Sequence, residues 1–189
     1  VIKNEDNKKI FLIGHSMGGQ VVLNFLGNHP EASFSGFITS SPNVRVAMKI
    51  NPFKKLVGQK VAEHLPKIHI FNDIAAHFLS HDAQVVEAYK KDPLVGNKIS
   101  VRLASEILAN QETILDLAQN ITIPALMLHG GDDKICDPQG SVDFYNRLSS
   151  QDKTLKLFDG MYHEIFNEVG REGVLDIVKN WIDSRGSKS

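Results

Sequence analysis

Apolar residues along this chain come in two rhythms, and the alternation between them organises the first and last thirds. Ile10-Phe11-Leu12-Ile13 is a short continuous apolar run, the pattern of a buried strand. Gln20 to Leu26 follows with Val21, Val22, Phe25 and Leu26 at helical spacing. A second strand is predicted near 36–40, in "GFITSSP". "IPALMLHG" gives a third at about 124–129, and Thr154 to Phe158 a fourth. Ser100 to Leu117 carries Leu103, Ile107, Ile114 and Leu117 at helical intervals. Asp137-Pro138 reads as an N-cap followed by proline in the first turn of another helix. Val169 to Ile182 closes the chain as a helix with Val174, Ile177, Val178, Trp181 and Ile182 on one side. Strand–helix alternation of this kind predicts an α/β architecture, a mostly parallel sheet with helices on both faces.

Between residues 43 and 98 the rhythm breaks. Pro52, Pro66 and Pro93 interrupt several short amphipathic pieces, which read as an insertion within one domain of residues 1–189. Its first half holds Arg45, Lys49, Lys54, Lys55, Lys60 and Lys67 against a single acid, Glu63. Phe53, Leu56, Val57 and Val61 share one helical face among them. Such a segment either docks its apolar face on the domain or lies on an anionic lipid surface. Docking is the expectation for most of its apolar residues.

Composition narrows the class. The chain has 189 residues, 42% hydrophobic and 23% charged, with a formal net charge of −1. That is ordinary for a globular domain, and it offers no electrostatic case for nucleic acid. The lone cysteine, Cys136, excludes an internal disulfide and fits a reducing, cytoplasmic compartment. A small buried hydrophobe is the expected role for it.

The chemistry concentrates where the rhythm is tightest. In "FLIGHSMGG", Ser16 stands on the turn between the first strand and the first helix, with Gly14 and Gly18 two residues to either side. A sharp strand–turn–helix needs residues without side chains where the backbones cross, and it pushes one hydroxyl outward under strain. Glycine-x-serine-x-glycine in that setting is the nucleophile elbow of α/β-hydrolases. A serine nucleophile needs a base, and histidine suits it near neutral pH. In this fold the chain order is serine, acid, histidine, each placed just after a strand. Of the eight histidines, His163 alone follows a late strand, in "LKLFDGMYHEIF"; His15, His29, His64, His69, His77, His81 and His129 all precede any candidate acid. For the acid, "MLHGGDDKICDP" offers Asp132, Asp133 and Asp137. Asp137 is better spent as the N-cap, and the residues alone do not separate the adjacent pair.

"FLIGHSMGG", "LMLHGGDDKICDPQGS" and "SQDKTLKLFDGMYHEIFNE" together resemble the monoacylglycerol lipases within the hydrolase-4, or serine-aminopeptidase-like, branch of the α/β-hydrolases. "FLSHDAQVVEAYKKDPLV", 78–95, resembles that family's lid region. The resemblance implies Ser16 as nucleophile, Asp133 as acid, His163 as base and the Met17 backbone N–H as an oxyanion donor. It implies an acyl-serine mechanism on a monoacylglycerol or similar lipid ester, with no metal or organic cofactor. Lysophospholipid hydrolysis and acyl transfer are the alternatives within the fold. A noncatalytic binding module on the same scaffold is the alternative of another class. A lid that meets membranes or lipid droplets is also implied. The family's second oxyanion donor and its early strands would lie upstream of Ser16, where this chain holds nothing to supply them. A C-terminal portion of a longer enzyme is therefore the expectation.

Overall fold

The computed structural model describes residues 9–48, 52–72 and 74–186, with the side chains of 52–57 outside the description. Its elements run β1 (Phe11–His15), α1 (Met17–Asn28), β2 (Gly36–Ser40), α2 (Pro52–His64), β3 (His69–Phe71), α3 (Ala83–Lys91), β4 (Lys98–Ser100), α4 (Val101–Leu117), β5 (Ala125–Gly130), α5 (Pro138–Arg147), β6 (Lys153–Phe158) and α6 (Arg171–Gly186). β1, β2, β5 and β6 form one sheet in that spatial order, every neighbouring pair parallel.

The two inner strands are buried from end to end, as expected of a parallel sheet covered on both sides. Because side chains alternate across a strand, each supplies both faces. Phe37, Ala125 and Met127 pack with Leu23 and Leu26 of α1, Ile114 of α4 and Phe144 of α5. Ile38, Leu126 and Leu128 pack on the other face with Val174 and Trp181 of α6. Fully burying a Leu, Ile or Phe is worth roughly 1.5–3 kcal/mol, so these two layers account for much of what holds the site's strands in register. Helix starts follow the local chemistry. Asp137 caps α5 by accepting from Gln139 N, with Pro138 in the first turn; Ser100 caps α4 by accepting from Leu103 N. α1 begins three residues earlier than the apolar spacing suggests, because the turn at Ser16 feeds directly into it.

The stretch between β2 and α4 is built differently. β3 and β4 pair antiparallel, Ile70 opposite Ile99, in a two-stranded sheet separate from the main one. Sequence pattern alone gives only amphipathic pieces there; three-residue strands are too short for an alternation to register. α2 packs against α4, and within it Ala62 is buried. Lys49 and Ile50, and the side chains of Phe53, Lys54, Lys55, Leu56 and Val57, lie outside the described residues. Two basic residues counted toward the insertion's charge are already engaged. Arg45 bonds Asp143 at 2.5 Å and Asp137 at 3.5 Å, which ties it to the main body. Lys60 pairs with Glu63 at 3.2 Å. Among the described residues no helix is long and apolar enough to cross a membrane.

Candidate active site

Ser16 sits at φ 53° and ψ −119°, left-handed territory for a residue with a Cβ, and such strain persists only where the surroundings enforce it. They do so through close backbone contact. A Cβ on Gly14 would lie 2.4 Å from the Gly18 carbonyl oxygen, so glycine is obligatory there. Gly18 is a correction to the sequence reading: a Cβ at that position would meet nothing within 4 Å. The crowded position is Gly19, where a Cβ would fall 2.8 Å from Cβ of Pro42. Ser16 precedes α1 without capping it through its side chain, which leaves Oγ free of the helix. Its backbone N–H donates to Ser40 O at 3.0 Å, and its carbonyl accepts from Gln20 N at 3.1 Å and Asn43 N at 3.0 Å. The elbow is thus fixed on three sides.

Asp133 and His163 are brought together. Asp133 Oδ2 is 2.7 Å from Nδ1 of His163, and both residues are buried. The loop after β5 is shaped by Asp133 itself, whose Oδ1 accepts from Ile135 N at 2.8 Å and Cys136 N at 3.0 Å. Asp132, the competing acid, is exposed and contributes its backbone N–H to Met161 O. The geometry therefore separates two residues that the sequence left level. The two loops touch at Gly130, where a Cβ would lie 2.0 Å from the carbonyl oxygen of Tyr162.

A second histidine, passed over in the sequence because of its place before the acids, belongs to this cluster. His129 is fully buried at the end of β5, with Nε2 3.2 Å from Asp133 Oδ2 and Nδ1 2.7 Å from Ser141 Oγ. Its Nε2 also faces Cys136 O at 3.2 Å. Nε2 therefore carries the proton, and Nδ1 accepts from the serine. Burial alone would raise the Asp133 pKa. Hydrogen bonds from His129 and His163, the electrostatic attraction of the His163 ring and the Ile135 N–H outweigh it, so the carboxyl lies well below the usual carboxylate range. Asp133 is thus held ionised between two imidazoles. His15 stacks obliquely on His163, ring centroids 4.8 Å apart. Burial first, and the nearby His163 second, push its pKa down to about 4, so it stays neutral near pH 7, with Nδ1 3.1 Å from Ser40 O.

Cys136 is buried as expected, and it is also close to the chemistry. The Ser16 side chain lies near enough to the Cys136 thiol to lower its pKa slightly; among the described residues no hydrogen bond joins Ser16 Oγ to His163. Ligating atoms of Asp133, Cys136 and His163 all lie within 4.8 Å of one another. Burial and the Asp133 charge push the thiol pKa far up, so it is a neutral neighbour, not a thiolate. No spacing rule could have placed it beside a serine 120 positions earlier in the chain.

Ser16 opens onto a cleft of about 500 Å³ between the body and the insertion. Its walls include Met17, Val46, Phe71, Phe78, Ile107 and Ile135, an apolar lining that suits a hydrocarbon chain. Lys98 and Lys134 also border it.

Comparisons with known proteins show the family and the fold. The family model Hydrolase_4, described as serine aminopeptidase, S33, matches residues 1–170. A monoacylglycerol lipase of Mycolicibacterium smegmatis is 33% identical over 92% of this chain, and phospholipase YtpA of Bacillus subtilis 30% identical, also over 92%. The crystal structure of Paleococcus ferrophilus monoacylglycerol lipase superposes with a TM-score of 0.89 at 31% identity, covering 94% of this chain. The chain spans 61% of the mycobacterial relative's length, 68% of the Bacillus one's and 69% of the crystallised one's. The chain belongs to the Hydrolase_4 family and has the α/β-hydrolase fold.

Proposed function

We propose that this chain carries the nucleophile, acid and base of a serine hydrolase that cleaves a lipid carboxylic ester, a monoacylglycerol first among them. The observation that carries the proposal is the buried 2.7 Å Asp133–His163 pair, set beside a strained serine that opens onto an apolar cleft.

The acyl chain lies in the cleft with the ester carbonyl above Ser16. The Ser16 hydroxyl turns toward Nε2 of His163, which takes its proton as Oγ attacks the carbonyl carbon; catalytic hydrogen bonds commonly close only once substrate is bound. Asp133 keeps the proton of His163 on Nδ1, leaving Nε2 to act as base, and it stabilises the imidazolium that forms. The Met17 N–H, first in α1, faces the developing oxyanion with the positive end of the helix behind it. Collapse of the tetrahedral intermediate passes the Nε2 proton to the leaving alcohol and leaves an acyl-serine. Water, deprotonated by His163, then releases the fatty acid and restores Ser16.

The similarity to a phospholipase supports a second reading, a lysophospholipid in place of a monoacylglycerol, with Lys98 and Lys134 at the cleft facing the phosphate. On either reading the exposed apolar residues of the insertion, Leu65, Ile68, Ile70, Phe71 and Ile74, form a lid that meets a lipid surface. Labelling with a serine-directed fluorophosphonate, followed by peptide mapping, tests the nucleophile: the label is expected on Ser16. A label on another residue, with Ser16 free, rejects the assignment. Release of fatty acid from monoacylglycerol and from lysophospholipid, measured side by side, ranks the substrates.

A further inference from the structure

Five residues beyond His163 lies a carboxylate that the proposed chemistry does not use. The Glu168 side chain is 2% exposed. Oε1 accepts from the backbone N–H of His81 at 2.7 Å, from Val169 N at 3.0 Å and from Ser80 Oγ at 3.2 Å. Oε2 accepts from Tyr162 N at 3.0 Å and faces Nδ1 of His81 at 3.1 Å. Donors thus converge from three places: a strap within the insertion (Ser80, His81), the residue immediately before His163 (Tyr162), and Glu168's own loop.

Only an acceptor with no proton of its own satisfies such a set. Burial pushes the Glu168 pKa up, but the N–H groups of Tyr162, His81 and Val169 and the His81 side chain outweigh it and hold the carboxyl below its ordinary range. The contacts around it form a continuous seam. Glu164 N donates to Leu79 O at 2.8 Å and His163 N to Phe78 O at 3.4 Å. The His81 ring stacks on Tyr162 at 3.8 Å, and Phe78 meets Tyr162 edge-on at 6.1 Å. Ser80 Oγ also reaches Asn167 O at 3.0 Å. Phe78 is at the same time part of the cleft wall. The segment 78–81 therefore touches the acyl-chain cleft on one side and the loop bearing His163 on the other.

We propose that Glu168 is a positioning residue: it clamps a strap within the insertion, 78–81, to the backbone just before His163, so that the cleft wall and the imidazole are set as one unit. This rests on the reading of His163 as the base. Glu168 touches neither Ser16 nor Asp133; it acts through Tyr162 and the strap. A neutral amide in its place would turn an N–H₂ group toward at least one of the converging donors and open the seam beside His163.

The experiment compares the wild-type native protein with Glu168→Gln and His81→Phe, the latter removing one donor from a half-exposed site while keeping a ring against Tyr162. Active sites are counted by fluorophosphonate titration, and kcat per active site and KM are measured on a short, soluble ester. Misplacement of a reacting group by about 1 Å costs on the order of 10²-fold. Glu168→Gln is expected to lower kcat per site by about that factor, with KM little changed, and His81→Phe to lower it several-fold. The second readout does not need turnover: the low-field proton resonance of His163 Nδ1–H, bonded to Asp133, is expected to shift or broaden in both variants. A variant that loses thermal stability but keeps wild-type kcat per site and an unmoved resonance reduces Glu168 to a structural carboxylate and overturns the proposal. If the wild-type protein hydrolyses no ester, the proposed function fails, and the resonance still decides the clamp.

Discussion

The main body and the insertion are put together on opposite terms. In the body, β2 and β5 are buried along their whole length, and the loops bearing Asp133 and His163 leave adjacent parallel strands with their backbones in contact. In the insertion, all three residues of β3 are exposed, and Leu94 is 92% exposed. Chemistry demands sub-ångström placement, which only a close-packed scaffold supplies. Taking up a greasy substrate demands apolar surface near water, which a close-packed scaffold cannot offer. On the proposed function, the chain separates the two demands in space and joins them at the Ser16 cleft and along the strap 78–81.

The largest expected effect breaks the body's half of that division. Asp133→Asn is expected to lower kcat by about 10⁴, as loss of the correct histidine tautomer does in a serine-protease triad. Asp132→Asn is expected to change it little, since that side chain faces solvent. Steady-state kinetics on a soluble ester measures both, and equal losses would refute the separation of the two aspartates. Next comes the elbow. Gly14→Ala is expected to destabilise by about 3 kcal/mol, the upper part of the overpacking range, because its Cβ meets the Gly18 carbonyl. Gly18→Ala is expected to be tolerated. Chemical denaturation of the pair checks this, and a reversed order would contradict the crowding described above.

Acid sensitivity sharpens the comparison further. His15 has its pKa lowered from 6.5 to about 4, so between those pH values the unfolded chain binds a proton that the folded chain refuses. Stability is then complete above pH 6.5 and falls as pH drops toward 4, by about 1.4 kcal/mol per pH unit at the steepest. His15→Gln is expected to flatten the fall of Tm across that window, and an unchanged profile would show that His15 does not carry it. The smallest effect falls on the insertion. Neutralising the exposed Lys67 is expected to weaken binding to anionic vesicles by about 1 kcal/mol while leaving soluble-ester kinetics intact. Vesicle sedimentation reads it, and unaltered binding would mark this lysine as a solvated charge only.

What the sequence revealed follows the same division. The turn at Ser16 and the loop carrying His163 were legible because strand, turn and helix signals surround them locally, and the N-cap at Asp137 because capping is a short-range rule. Asp133 over Asp132 came only from the family resemblance, since two neighbouring carboxylates have the same local pattern. His129, His81, Cys136 and Glu168 were not legible in these roles. Their partners lie far off in the chain or depend on how one loop lies against another, and periodicity carries no such information. Gly18 was misread for a related reason. The motif marks where a glycine recurs, whereas the helix's actual path puts the crowding on Gly19.

The insertion leaves the main body after β2 and returns to it at α4, whose Ile114 packs in the core with Phe37 of β2 and Met127 of β5. In chain-entropy terms this excursion is a loop already closed by its base, and doubling such a loop's length costs only about 0.6 kcal/mol more. Its length and content are therefore nearly free variables for the scaffold. Substrate range can drift by exchange of that segment, provided the replacement keeps a serine and a backbone N–H where residues 80 and 81 meet Glu168.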